Sequence, residues 1–302
     1  MQPDKAIYQN QSQQRLNSNN NQVFMNLGCG STFSAGWRNL DIDPKDSIVE
    51  KWQAQDGIPA TTESVDIVYH SHMLEHLSAE HGKTFLGECF RVLKPEGILR
   101  IAIPDLECIC KEYLAALGRI EKNEEFSSLD AKWMRFELFD QMTREASGGQ
   151  MLQFLNSRPP NRDFIIKRCG EQVAPFLRDK IKVETTKSIK TPLHLQIKKS
   201  LQGMLNPTKW KNFMVKQFLG DSDYSALMHG RFLFSGELHK TMYDRFSLAE
   251  ILLSIGFHQT YTQTHIKSLI PAWKSYRLDC LDNEKPRKPD SLYIEATKSP
   301  KD

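Results

Sequence analysis

One pattern limits the possible folds more than any other: two buried strands flanking a single amphipathic helix. Residues 65–70 read VDIVYH and residues 98–105 read ILRIAIPD, runs of β-branched and apolar residues suited to strands covered on both faces. Between them Phe85, Leu86, Cys89, Phe90 and Leu93 recur at helical spacing, and Lys94-Pro95-Glu96-Gly97 supplies the stop. Strand, crossover helix and strand in that order predict a parallel α/β sheet. Five more runs read as strands: VFMNL at 23–27, RNLDID at 38–43, a short run around SIVEK at 47–51, HQTYTQTHI at 258–266 and SLYIEATK at 291–298. The last two suit an antiparallel edge. The expectation is a doubly wound, mostly parallel, seven-stranded sheet with an antiparallel edge strand. Helices are expected at Leu106–Leu117, Asp130–Ala146 and Leu248–Gly256.

Charge divides the chain. Residues 151–220 hold 14 Lys or Arg against 4 Asp or Glu, a local balance of +10 in a chain whose net charge is +3. The flanks are therefore net acidic, and the middle piece differs in kind. Sheet elements lie on both sides of it. Residues 119–230 accordingly read as a helical basic insertion or lid, carried by one domain made of 23–118 and 231–300. Residues 1–22, rich in Gln and Asn and poor in apolar side chains, read as a disordered tail. Within the insertion Ile197, Leu201, Met204 and Leu205 fit one helical face and Lys198 and Lys199 another, and Trp210, Phe213 and Met214 repeat the pattern after Pro207. Three uses of 190–218 stay open: peripheral contact with an anionic membrane surface, docking of an acidic partner, or a solvated cap on a ligand pocket. No run of 18 apolar residues exists and the first residues lack the apolar centre of a secretory signal, so a cytoplasmic chain that spans no membrane is expected. Cys29, Cys89, Cys108, Cys110, Cys169 and Cys280 show no repeated CxxC, which fits reduced thiols better than disulfides or zinc.

In such a sheet, ligands lie beyond the carboxyl ends of the strands, where strand order reverses. The first strand ends in Asn26-Leu27-Gly28-Cys29-Gly30-Ser31, where glycines let the backbone turn tightly and approach a ligand. By itself the glycine pair reads equally well as a plain turn. Asp41, at the end of the next strand, favours the cofactor reading, because a carboxylate there can accept both hydroxyls of a ribose. Asp43 takes a turn role before Pro44. There is no GxxxxGK[ST] pattern, and Phe33 stands at the third glycine of GxGxxG, so neither a triphosphate nor a dinucleotide is indicated. Residues 31–40 are too few for a crossover helix, and a tight loop must make the first connection.

These segments, VFMNLGCGSTFSAGWRNLDIDP, SVDIVYHSHMLEHL and ECFRVLKPEGILRIAIPDL, together with GELHKTMYDRFSLAEILLSIGF and KPDSLYIEA, resemble the type 11 branch of class I S-adenosylmethionine methyltransferases. The similarity is greatest to predicted methyltransferases of bacterial surface-polysaccharide gene clusters. It covers residues 23–117 and 231–297 and leaves out the insertion. The resemblance implies a Rossmann-like fold, S-adenosyl-L-methionine as cofactor, and O-methylation of a glycan or other small-molecule acceptor. It places Gly28, Cys29 and Gly30 under the methionine and ribose parts, Asp41 on the ribose, and His72 beside the cofactor at the end of the fourth strand. Asn26 stands where many members carry an acid, and Gln53 or Asp56 would have to meet the adenine amino group.

Methyl transfer from a sulfonium needs an in-line nucleophile, and a base only where the acceptor is a hydroxyl or a protonated amine. His239 is the leading candidate base, with Tyr243 beside it in ELHKTMYDRF. Asp105 follows the fifth strand on the ligand side of the sheet, where a helix-capping role competes with catalysis. His70, His72, His76 and His81 invite a metal hypothesis, and His72 and His76 stand at i,i+4, yet the only further ligand near them in sequence is Glu75. No metal is therefore expected. The competing function is a nucleic-acid-binding protein or RNA methyltransferase that uses the basic insertion. It is disfavoured: the insertion is not interleaved with stacking aromatics, and no NPPY-type tetrapeptide follows the fourth strand.

Overall fold

The computed structural model describes residues 22–170, 173–177 and 207–300. The expected tail at 1–22, apart from Gln22, and the stretch 190–206 lie outside the described residues. Seven strands form one sheet: β1 (Phe24–Leu27), β2 (Arg38–Asp41), β3 (Val49–Lys51), β4 (Val65–Ser71), β5 (Leu93–Pro104), β6 (Gln259–Gln263) and β7 (Ser291–Thr297). Their order is β3-β2-β1-β4-β5-β7-β6. The first five pair in parallel, and β7 runs antiparallel to both β5 and β6. The antiparallel strand thus sits one place in from the edge. Strand order reverses between β1 and β4, where the sheet offers a crevice at its carboxyl edge.

Helix α1 (Ala79–Val92) is the expected crossover between β4 and β5. Its Phe85, Leu86, Cys89 and Val92 pack with Met25, Leu27, Val68, Leu99 and Ile101 of the sheet and with Leu248 and Leu252, which belong to a later helix. The first connection has no helix. Met25 and Arg38 are already partners in the β1–β2 ladder, and residues 28–37 close the parallel pair as a loop. The opposite sheet face is covered by Leu269, Ile270, Trp273 and Leu278, which pack on Trp37, Ile67, Tyr69 and Ile98. Below them Arg100, fully buried, pairs with Asp279 and Glu295 at 2.7 Å each and stacks 4.4 Å from the Trp273 ring.

After β5 the described elements as far as Leu233 are all helices, the longer ones being α2 (Leu106–Glu121), α3 (Ser127–Arg135), α4 (Gly149–Asn156), α5 (Arg162–Cys169) and α6 (Pro207–Leu233). Helices α2 to α5 enclose a second core of Trp133, Met134, Phe136, Phe154, Leu155 and Ile165, to which no described residue of α6 contributes. The continuous helix expected over Asp130–Ala146 is broken. Residues Phe136–Asp140 widen into a π turn and the helix ends at Thr143, because Arg144 turns extended (φ −62°, ψ 147°). Gly220 interrupts α6 with a left-handed φ of 77°. The chain returns to the sheet through α7 (Arg245–Ile255), started by an Asp244–Ser247 capping box. Among the described residues no helix is long and apolar enough to cross a membrane.

Candidate active site

The β1–β2 loop is held by its own side chains. Gly28 and Gly30 both take positive φ, 65° and 53°, which favours residues without a Cβ. A Cβ on Gly28 would also meet the Met73 sulfur at 2.9 Å. Asp41 Oδ2 accepts from the Gly30 N–H at 2.7 Å and its Oδ1 from the Asp43 N–H at 2.9 Å, so the end of β2 pins the loop after β1. Asn26 is 1% exposed. Its Nδ2 donates to the Thr32 carbonyl and to Asn39 Oδ1, and its Oδ1 is left buried without a donor.

These residues form one wall of a cavity of about 650 Å³, lined on that side by Asn26, Gly28, Cys29, Gly30 and Ser31. The other wall comes from the end of the chain: Asp279, Arg287, Lys288, Ser291 and Tyr293. Lys288, Ser291 and Tyr293 lie in the KPDSLYIEA segment, whose SLYIEA part reads as a strand, but none of this wall is expected from the sequence as part of the site. Arg100 brings it into place by holding Asp279 Oδ2, while Tyr69 of β4 donates to Asp279 Oδ1 at 2.5 Å. Burial is the main force lowering the pKa of the Lys288 ammonium.

His72 joins the walls. It follows β4 in a left-handed conformation (φ 51°), with its N–H donated to the Ala102 carbonyl of β5. A non-glycine residue held there stores strain that the surroundings must hold in place. Its Nε2 lies 2.7 Å from Ser291 Oγ and its Nδ1 3.2 Å from Glu75 Oε1. Glu75 is fully buried. Burial works to raise its carboxyl pKa, but the contact with His72 and the fields of His72, His76 and His239 outweigh it and hold the value at about 2.

The remaining candidates lie apart from this cavity's lining. His239 is 9% exposed, packs its ring edge-on against His76 at 4.8 Å between centroids, and burial brings its pKa down to about 4. Asp105 caps α2, accepting from the Cys108 N–H at 3.1 Å, so the capping role is the one the geometry displays. Tyr243 is packed in the main core and bridges backbone to backbone with Asp105. Gln53 and Asp56 are exposed at the turn after β3, where the Asp56 N–H donates to the Gln53 carbonyl. Asp41 acts from behind the loop. Asp244 caps α7, and Arg245 pairs with Glu107 at 2.8 Å.

Residues 26–101, the segment from β1 into β5, match the family described as a methyltransferase domain. Among solved structures, the chain is similar to an S-adenosylmethionine-dependent methyltransferase of Thermotoga maritima, described as a possible histamine N-methyltransferase, at 11% identity, 97% coverage of this chain and 89% of that one, with a TM-score of 0.34. A second such methyltransferase, from Archaeoglobus fulgidus, aligns at 12% identity over 97% of this chain and 94% of that one, with a TM-score of 0.35. No curated protein matches the chain.

Proposed function

We propose that this chain is an S-adenosylmethionine-dependent methyltransferase that acts on a hydroxyl oxygen of a small polar acceptor, a glycan or a molecule of like chemistry. One observation carries the reading: the glycine turn and a wall of charged and hydroxyl side chains face each other across one cavity. Its volume of about 650 Å³ suits a small-molecule site.

The residues fit the cofactor. Asn26 Oδ1, buried and without a donor, would accept from the cofactor's amino group. Gly28 and Gly30 let the backbone approach it closely, and Asp41, which holds the Gly30 N–H from behind the loop, would keep that turn in shape for it. Bound there, S-adenosylmethionine supplies an activated methyl group and its own leaving group. The protein's share is orientation and the acceptor's proton. His72 faces the cavity, and Glu75, 3.2 Å behind Nδ1, favours the tautomer protonated there, which leaves Nε2 to take a proton. Arg287 and Lys288 in the opposite wall favour an acceptor that carries a carboxylate or phosphate. The basic stretch 151–220 supports a part in acceptor selection, and a cytoplasmic location accords with this reading.

Calorimetry with S-adenosylhomocysteine tests the cofactor half. The wild-type chain should bind it, and Asp41→Ala, which removes the charge-assisted bond that holds the Gly30 turn, should weaken binding by roughly tenfold. Failure of the wild type to bind at high micromolar ligand would sink the reading. For the acceptor half, Lys288→Ala should raise KM for an anionic acceptor with little change in kcat.

A further inference from the structure

Behind His72, on the side away from the cavity, Glu75 meets two more histidines. One ligand atom from each of Glu75, His76 and His239 lies within 4.8 Å of the others, the one such group of three among the described residues. The Glu75 side chain is 1% exposed; His72 Nδ1 reaches its Oε1 at 3.2 Å, and its Oε2 has no hydrogen-bond partner. His239 Nδ1 is likewise buried without a partner. One neutral imidazole donor leaves the carboxylate's charge uncompensated, and a buried uncompensated charge costs several kcal/mol, so the arrangement calls for a cation or proton.

The surroundings are built to hold these three groups. The Lys240 and Thr241 N–H groups both donate to the Glu75 carbonyl, at 2.7 and 3.2 Å, which clamps the segment carrying His239 onto the turn Leu74–His76. The His239 N–H is donated to the Gln141 carbonyl at 3.0 Å. His76 Nδ1 lies 3.2 Å from the Leu238 carbonyl. That bond fixes Nδ1 as the protonated nitrogen and leaves Nε2 a lone pair, the arrangement a metal-ligating histidine shows when its second nitrogen is held by a carbonyl.

We infer that Glu75, His76 and His239 hold a divalent cation of the zinc class. Two imidazoles and one carboxylate suit zinc or a similar borderline metal, where magnesium and calcium prefer an all-oxygen set. Bonds of about 2.0–2.2 Å place ligand atoms roughly 3.4 Å apart around a tetrahedral centre. The widest separation must then shrink by little more than an ångström, within reach of side-chain rotation. Three protein ligands leave a fourth position for water. The catalytic part of this inference rests on the cavity reading above. His72 touches Glu75 on one side and lines the cavity on the other, so the cation would sit one side chain from the acceptor and set the charge behind His72.

The test uses the full chain, stripped with chelator and titrated with Co²⁺, whose visible ligand-field absorption reports nitrogen–oxygen coordination, followed by displacement with Zn²⁺. One equivalent should bind, the bands should bleach on adding Zn²⁺, and Zn²⁺ should raise the thermal midpoint. His76→Gln and His239→Gln should each weaken Co²⁺ binding by roughly a hundredfold, the upper range for loss of an outer partner and a lower bound for loss of a ligand. Both variants should keep the wild-type affinity for S-adenosylhomocysteine, which also shows that they fold. A wild-type chain with no Co²⁺ bands and no Zn²⁺-dependent rise in midpoint overturns the site whatever the variants do, as does Co²⁺ binding that survives in both. Tight Co²⁺ binding without S-adenosylhomocysteine binding would uphold the metal site and strike the cavity reading instead.

Discussion

Asn26 and His70 are both buried polar side chains with unpartnered atoms, one facing the cavity and the other facing the core. Asn26 already spends its Nδ2 on Thr32 and Asn39, so the lone acceptor left in the cavity wall is available to a ligand. Asn26→Leu keeps the size and removes the acceptor; S-adenosylhomocysteine affinity should fall roughly tenfold by calorimetry. His70 is fully buried, both ring nitrogens lack partners, and its ring lies 5.2 Å from Phe85. Burial pulls its pKa from 6.5 down to about 4, so between those values only the unfolded chain takes up the proton. Stability is therefore full above about 6.5 and is lost as pH falls toward about 4, by roughly 3 kcal/mol for this group. His70→Leu should flatten that decline. Urea midpoints compared at neutral and mildly acidic pH measure it, and an unchanged slope would assign the acid sensitivity elsewhere.

The elements that periodicity marks strongly are the ones whose environment is uniform along their length. VDIVYH and ILRIAIPD become β4 and β5 because both faces of each are covered, and the α1 stripe faces one core. The helix expected over Asp130–Ala146 fails for a local reason. Asp140 turns its carboxylate to the backbone N–H groups of Gln150 and Met151, and so holds the start of α4 against the π turn. At α2 two roles compete for one carboxylate. Asp105→Ala should lower stability by about 1 kcal/mol through the lost cap, while Asp105→Asn, which also caps, should leave both stability and turnover close to wild type. Denaturant unfolding and initial rates check this together, and a large fall in turnover with Asn would return Asp105 to the catalytic set.

Across the whole molecule, Arg100 ties three distant pieces together: β5, the 264–281 segment and β7. Its guanidinium meets Asp279, Glu295 and the carbonyls of Thr264 and Lys267 with no exposure to solvent. Arg100→Met would strand two buried carboxylates and should cost about 3–5 kcal/mol in denaturant unfolding. It should also loosen the cavity wall, since Asp279 would keep only its bond from Tyr69 among the two that now fix it. A loss under 1 kcal/mol would mean that the wall is positioned by apolar packing around Trp273 instead.

The parallel sheet, the helix-free first connection and the glycine turn with Asp41 were all determined by the sequence, because each depends on neighbours a few residues apart whose periodicity or φ requirement is visible locally. The second wall of the cavity and the meeting of His239 with Glu75 and His76 were decided by tertiary structure alone. Asp279 reaches the site through the buried charge of Arg100, Ser291 through the β5–β7 ladder, and His239 through backbone pairing across more than 160 residues of chain, so no local pattern could record these meetings. Glu75 and His76, neighbours in sequence, could be seen without structure. The third ligand came from the fold.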